Sequence, residues 1–190
     1  MRIKEAIQES IELKNALLYD SVLIAQIGQI IEIVVQSLRS GGKIFFCGNG
    51  GSAADAQHLA AELSGRFYFD RPPLPAEALH CNSSFVTAIG NDYGFEHIYA
   101  RLLKGNGKKG DILIGLSTSG NSLNIIKAFD MARKMGIKTI ALTGESGGEL
   151  HAHSDFTLRI PSTDTPRIQE VHILIGHIIC ELVETEMFMD

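Results

Sequence analysis

His58 and Glu62 stand four residues apart in Ser52-Ala53-Ala54-Asp55-Ala56-Gln57-His58-Leu59-Ala60-Ala61-Glu62. On a helix that spacing sets an imidazole and a carboxylate on one face, roughly 6 Å apart, suited to sharing a metal ion or a proton. Taken alone, an HxxxE pair is equally a solvent-facing surface pair. Here Ala53, Ala54, Ala56, Leu59, Ala60, Ala61 and Leu63 make the helix closely packed, and polar groups inside such a helix need partners. Just upstream, Cys47-Gly48-Asn49-Gly50-Gly51-Ser52 leads out of the apolar run Lys43-Ile44-Phe45-Phe46. Glycines let the backbone turn tightly there, Ser52 can cap the helix, and the free N–H groups of a helix start favour an anion such as phosphate.

A second loop, Ser117-Thr118-Ser119-Gly120-Asn121-Ser122, carries four hydroxyls in six residues. Hydroxyls donate to phosphate oxygens, and the following helix start adds backbone donors and partial positive charge. One such loop is ordinary turn and cap chemistry; two at adjacent strand ends point to a small phosphorylated metabolite. Neither contains Gly-Lys-Ser/Thr or GxGxxG, which disfavours ATP and NAD.

Toward the C-terminus, Gln169, His172 and His177 interrupt an apolar field. Gln169 and His177 are about 12 Å apart along a straight helix. Both reach one ion only if it lies between them or if they come from different subunits. Taken singly, each histidine is also readable as a hydrogen-bonded core residue. Asn91 and Asp92 could meet sugar hydroxyls or form a turn, and Arg66 and Arg167 could assist an anion or form surface salt bridges. His151-Ala152-His153 sits in a Gly/Ser/Asp-rich turn, a poor setting for metal ligands.

The elements that position these groups alternate. Helices are expected over Arg2–Tyr19 and Ser21–Ser40. Strand Lys43–Cys47 then precedes helix Ser52–Ser64, strand Ala76–Cys81 precedes helices Ser83–Ile89 and Phe95–Leu103, and strand Asp111–Leu116 precedes helix Asn121–Met135. Strand Lys138–Leu142, a short helix near Gly148–His151, strand Thr157–Ile160 and helix Arg167–Met189 complete the chain. Apolar strands separated by helices predict a doubly wound α/β fold with a five-stranded parallel sheet, whose ligands collect at the carboxyl ends of strands where the topology reverses. Helices 21–40 and 167–189 are apolar nearly all round, so a partner subunit is expected to cover them.

The 190 residues fit one domain, 1–190, with 1–40 a helical pair used for oligomerisation. A net charge of −5, with 17 basic residues and no basic run, gives no footprint for nucleic acid. The start of the chain turns amphipathic at once, and no stretch reaches roughly 18 uncharged apolar residues, so neither a signal peptide nor a membrane span is expected. Three widely spaced cysteines, Cys47, Cys81 and Cys180, imply no disulfide framework and a reducing, cytoplasmic compartment.

Four motifs in order, Gly48-Asn49-Gly50-Gly51-Ser52-Ala53-Ala54-Asp55-Ala56-Gln57-His58, Ala88-Ile89-Gly90-Asn91-Asp92, Ser117-Thr118-Ser119-Gly120-Asn121-Ser122 and Arg167-Ile168-Gln169-Glu170, resemble the phosphoheptose isomerases of the sugar isomerase (SIS) domain family over nearly the whole chain. The resemblance implies a homotetramer that isomerises sedoheptulose 7-phosphate at the start of the heptose branch of lipopolysaccharide core synthesis. It implies substrate contacts from Asn49, Gly50, Gly51, Ser52, Asn91, Asp92, Ser117, Thr118, Ser119, Ser122 and Gln169. It also implies zinc held by His58, Glu62, Gln169 and His177. Proton transfer between adjacent carbons through an enediol needs a base, an acid and oxyanion stabilisation, and Glu62 and His177 are the expected acid–base pair. Alternatives are a regulatory protein of the same fold that binds the replication initiator, or an isomerase of another sugar phosphate. The short chain argues against the two-domain relatives of the latter kind.

Overall fold

The computed structural model describes residues 2–189. Helices α1 (Arg2–Leu18) and α2 (Ser21–Arg39) open the chain. They are followed by β1 (Ile44–Gly48), α3 (Gly51–Ser64), β2 (Ala76–Ala78), α4 (Ser83–Tyr93), a 3₁₀ turn Phe95–His97, α5 (Ile98–Asn106), β3 (Ile112–Ser117) and α6 (Leu123–Met135). The chain continues through β4 (Lys138–Thr143), α7 (Leu150–His153) and β5 (Phe156–Arg159) to α8 (Thr165–Phe188). All strand pairs are parallel, in the order β2-β1-β3-β4-β5, so the expected doubly wound α/β fold is present. The chain moves outward from β1 to β2, then returns to place β3 on the other side of β1. The reversal lies between β1 and β3, with Gly48 in register with Leu116 at their carboxyl ends.

β1 and β3 are buried along their whole length because helices cover both sheet faces. One core combines Ile44, Phe46, Ile112 and Ile114 with α1, α2, α3 and α8; the other combines Phe45, Cys47, Leu113 and Ala141 with α4, α5 and α6. Asp20 caps α2 by accepting the Val22 and Leu23 N–H groups at 3.0 and 2.9 Å. By length and composition α2 could cross a membrane, with mean hydropathy 1.6, yet 44% of that window is buried inside the protein. The expectation that no stretch spans a membrane rests here on Gln26, Gln29, Glu32 and Gln36, since mean hydropathy alone passes it.

Several expected boundaries move. β2 stops at Ala78 because the chain turns there to let Asn82 cap α4 through its bond from Phe85 N–H at 3.0 Å. α4 runs through Gly90 to Tyr93, so Asn91 and Asp92 form its last turn rather than a following loop. α6 begins at Leu123, α7 lies at Leu150–His153, and β5 starts at Phe156. α8 begins at Thr165 with Pro166 in its first turn, where a missing N–H costs nothing. The three cysteines are free, with Cys47 and Cys180 buried.

His172 is wholly buried. Its Nε2–H donates to the Thr143 carbonyl at 3.3 Å, while Nδ1 has no partner. Burial pushes its pKa down to about 4, against a smaller upward effect of the Thr143 bond. Between about pH 6.5 and 4 the unfolded chain therefore binds a proton that the folded chain refuses, and stability falls as pH falls. Urea unfolding at pH 7 and 4.5 is expected to show an acid loss about 2–3 kcal/mol larger in the wild type than in His172→Asn. Equal losses in both proteins would remove His172 as the cause.

Candidate active site

The site grows from the end of β1. Gly50, at φ +56°, is the N-cap of α3 and makes no side-chain cap bond. The expected capping by Ser52 is absent; Ser52 is buried in the first turn instead. Left-handed backbone at Gly50 turns the chain so sharply that the cap position admits no side chain readily. Tyr99 donates its hydroxyl to the Gly48 carbonyl, fixing the strand end from the opposite face.

α3 lies alongside α8 and runs in the same direction. A Cβ on Gly51 would lie 2.7 Å from Gln169 Nε2, and a Cβ on Gly176 would strike the Leu59 side chain, so the helices meet closely at both places. In the third turn of α3, His58 Nε2 is 2.8 Å from Glu62 Oε1 and 3.4 Å from His177 Nε2. The two imidazoles meet edge to face with centroids 5.0 Å apart, and the Phe67 ring lies 5.8 Å from that of His177. The ligand atoms of His58, Glu62 and His177 all fall within 4.8 Å of one another.

The spacing along α8 is thus met within a single chain. Gln169 faces the start of α3 at Gly51, and His177 faces His58; no second subunit is needed to bring His177 to the pair. Gln169 stands two turns earlier on α8, with its side-chain amide beside Gly51 at the glycine loop.

Asp55, to which the sequence alone gives no role, lies three residues before His58 on the same helical face. Its Oδ2 is buried without a partner, and burial pushes its pKa up against the opposing influence of His58 and His177. Asn49 is engaged as well: its amide and that of Asn124 exchange two hydrogen bonds, at 2.9 and 2.8 Å, which tie the β1 loop to the first turn of α6. Asn124 carries no motif signal, being one polar residue in an amphipathic helix.

In the second loop Ser117 and Ser122 hydroxyls lie 3.0 Å apart, and Ser119 Oγ accepts the Asn121 N–H at 3.2 Å. Gly120, at φ +68°, has the Gly147 carbonyl where a Cβ would sit, so this loop is pressed against the one after β4. Thr118 is half-buried and Ser119 exposed. The two loops leave neighbouring strands at the topological reversal, where α/β sheets bind ligands. Asn91 and Asp92 are exposed on α4, on the other sheet face, with Asn91 Nδ2 donating to Asp92 Oδ1 at 2.9 Å. Arg167 binds the Ala6 carbonyl at 2.7 Å and Glu170 at 2.8 Å, holding α1. His151 and His153 separately meet Thr157 and Asp130.

The donor set fits a zinc ion. Two imidazoles and one carboxylate are usual zinc ligands, whose donor atoms in a tetrahedral site stand about 3.3 Å apart; the two imidazole nitrogens are 3.4 Å apart, while His58 Nε2 and Glu62 Oε1, at 2.8 Å, share a hydrogen bond that an ion would replace.

A family model described as the SIS domain matches residues 15–144. The chain belongs to the SIS domain family. It is 53% identical over 186 residues to the phosphoheptose isomerase of Aneurinibacillus thermoaerophilus, covering 98% of this chain and 94% of that protein. The structure of phosphoheptose isomerase from Neisseria gonorrhoeae superposes with TM-score 0.90 at 43% identity, and that of a phosphoheptose isomerase from Francisella tularensis with TM-score 0.93 at 40%. Each match covers 97% of both chains. With such relatives over nearly its full length, the chain is an isomerase.

Proposed function

We propose that the chain converts sedoheptulose 7-phosphate to D-glycero-D-manno-heptose 7-phosphate, with Glu62 and His177 moving the protons and zinc held beside them. The observation that carries this reading is the meeting of His58, Glu62 and His177 within 4.8 Å, the first two on the helix that starts at one of the two switch-point loops. The names of the relatives, phosphoheptose isomerases, support the substrate.

Ketose-to-aldose conversion takes a proton from C1 and returns one to C2. Glu62 is the base: one carboxylate oxygen faces His58, and the other removes the C1 proton and delivers it to C2. His177 gives a proton to the C2 carbonyl oxygen and accepts one from the C1 hydroxyl, so the enediol forms and collapses without net charge. His58, Glu62 through the oxygen that faces His58, and His177 through Nε2 would hold the zinc, leaving the second Glu62 oxygen and His177 Nδ1 for the proton transfers, with Gln169 completing the set or binding the sugar beside Gly51. When bound, zinc supplies Lewis-acid polarisation of the sugar's carbonyl and hydroxyl oxygens. Ser117, Thr118, Ser119 and Ser122 grip the phosphate at the start of α6. Asn49, Gly50, Gly51 and Ser52 wall the sugar, and Asn91 and Asp92 take its hydroxyls.

The protein acts as a homotetramer in the cytoplasm and supplies heptose for lipopolysaccharide core. Support for assembly is a 440 Å³ apolar groove lined by Leu17, Leu23, Ile24, Ile27, Ile178 and Leu182, together with exposed Ile3, Ile7 and Ile11 on α1. Exposed apolar surface of this kind favours a contact that covers it, read here as one between copies of the chain. Chelation is expected to abolish turnover of sedoheptulose 7-phosphate and zinc to restore it; full turnover by metal-free protein would remove zinc from the account.

A further inference from the structure

Arg71 lies in a proline-rich loop and yet is buried, its side chain only 2% exposed, against a Glu184 side chain that is 0% exposed. Arg71 Nε donates to Glu184 Oε1 at 2.7 Å. Its Nη1 donates to the Leu63, Gly65 and Pro72 carbonyls at 2.9, 3.3 and 3.1 Å, and Nη2 donates to the Glu62 carbonyl at 3.0 Å. Glu184 in turn accepts the N–H groups of Phe67, Tyr68 and Phe69 at 2.9, 2.7 and 3.2 Å. Apart from the bond that joins the two side chains, the hydrogen bonds of the pair all go to backbone groups.

Two buried charges cost several kcal/mol to desolvate, and well-packed apolar residues often serve stability as well or better. What an apolar pair lacks is direction. Arg71 binds the carbonyls left free at the end of α3, the negative end of its dipole, and one of these belongs to Glu62. Glu184 follows His177 by seven residues, two turns along the same face of α8. It also holds the N–H of Phe67, whose ring lies 5.8 Å from that of His177. One ion pair therefore sets the end of the helix bearing Glu62, the helix bearing His177 and the segment between them.

We propose that Arg71 and Glu184 are positioning residues that hold Glu62 and His177 in register. The proposal rests on the acid–base roles given above. Arg71→Lys keeps the charge but cannot reproduce the guanidinium fork. In a variant shown by circular dichroism to be folded, kcat on sedoheptulose 7-phosphate is expected to fall about 10- to 100-fold with KM within about 2-fold, the signature of a misplaced reacting group. In the metal-free protein, the ring-proton resonances of His58 and His177 should move while those of His151 and His153 stay. Unchanged ring resonances and unchanged kcat in the folded variant would overturn the proposal, as would a loss of kcat that only tracks the unfolded fraction. If the wild type fails to turn over the sugar while the variant still moves the His58 and His177 resonances, positioning stands and the assigned activity falls.

Discussion

Glu62→Gln is expected to lower kcat on sedoheptulose 7-phosphate by about 10²- to 10⁴-fold, the usual worth of a positioned general base, with little change in KM. The substitution preserves volume and can still accept a hydrogen bond from His58, 2.8 Å away in the native protein, but it cannot take up the C1 proton. Because Gln is also a weaker metal ligand, the variant is assayed with zinc in excess and its metal content measured. His177→Ala should fall in the same range, since the C2 carbonyl oxygen then loses its proton donor. A zinc-loaded Glu62→Gln protein that retains more than about a tenth of wild-type turnover would exclude Glu62 as the base.

Glu184→Ala is expected to destabilise the fold by about 3–5 kcal/mol, because it strands the Arg71 charge inside the protein. It also leaves the N–H groups of Phe67, Tyr68 and Phe69 without their acceptor. Burial by itself would raise the Glu184 pKa, but the Phe67, Tyr68 and Phe69 N–H groups and Arg71 outweigh it and hold it below the usual carboxylate range. The carboxylate is therefore ionised and bonded throughout the neutral range, and its contribution fades only as acid protonates it. A chain of this size should lose on the order of 10 °C in Tm. A loss under about 1 kcal/mol would mean that water enters and solvates the vacated site.

Much of the fold is legible in the chain because its signals are local. Buried runs such as Ile112–Ser117 stand out as apolar blocks between helical periods, and α2 and α8, which each give one face to the core, stand out by apolar composition. β2 is less legible: as an edge strand of three residues it pairs with β1 alone, and the apolar Leu79 beyond it suggests a longer run. The site divides the same way. His58 and Glu62 come together through helix geometry alone, so spacing is sufficient. His177 joins them only because α3 and α8 pack closely at Gly176 and Leu59, a contact between segments more than a hundred residues apart. Arg71 and Glu184, separated by 113 positions, show no local sign of pairing. A charged residue in a proline-rich loop has the composition of a surface segment. Ser52 fails as a cap for the opposite reason, since the preference for hydroxyl caps is local and the left-handed Gly50 overrides it.

The cluster of His58, Glu62 and His177 is proposed to isomerise a seven-carbon ketose phosphate. This is tested most directly by following purified, zinc-replete protein with sedoheptulose 7-phosphate by NMR, beside a pentose phosphate and an amino-sugar phosphate. D-glycero-D-manno-heptose 7-phosphate is expected to form, with kcat/KM at least about tenfold above either competitor, and none of this product is expected from Glu62→Gln on the same timescale. Equal or faster turnover of a competitor, or undiminished product from Glu62→Gln, would contradict it.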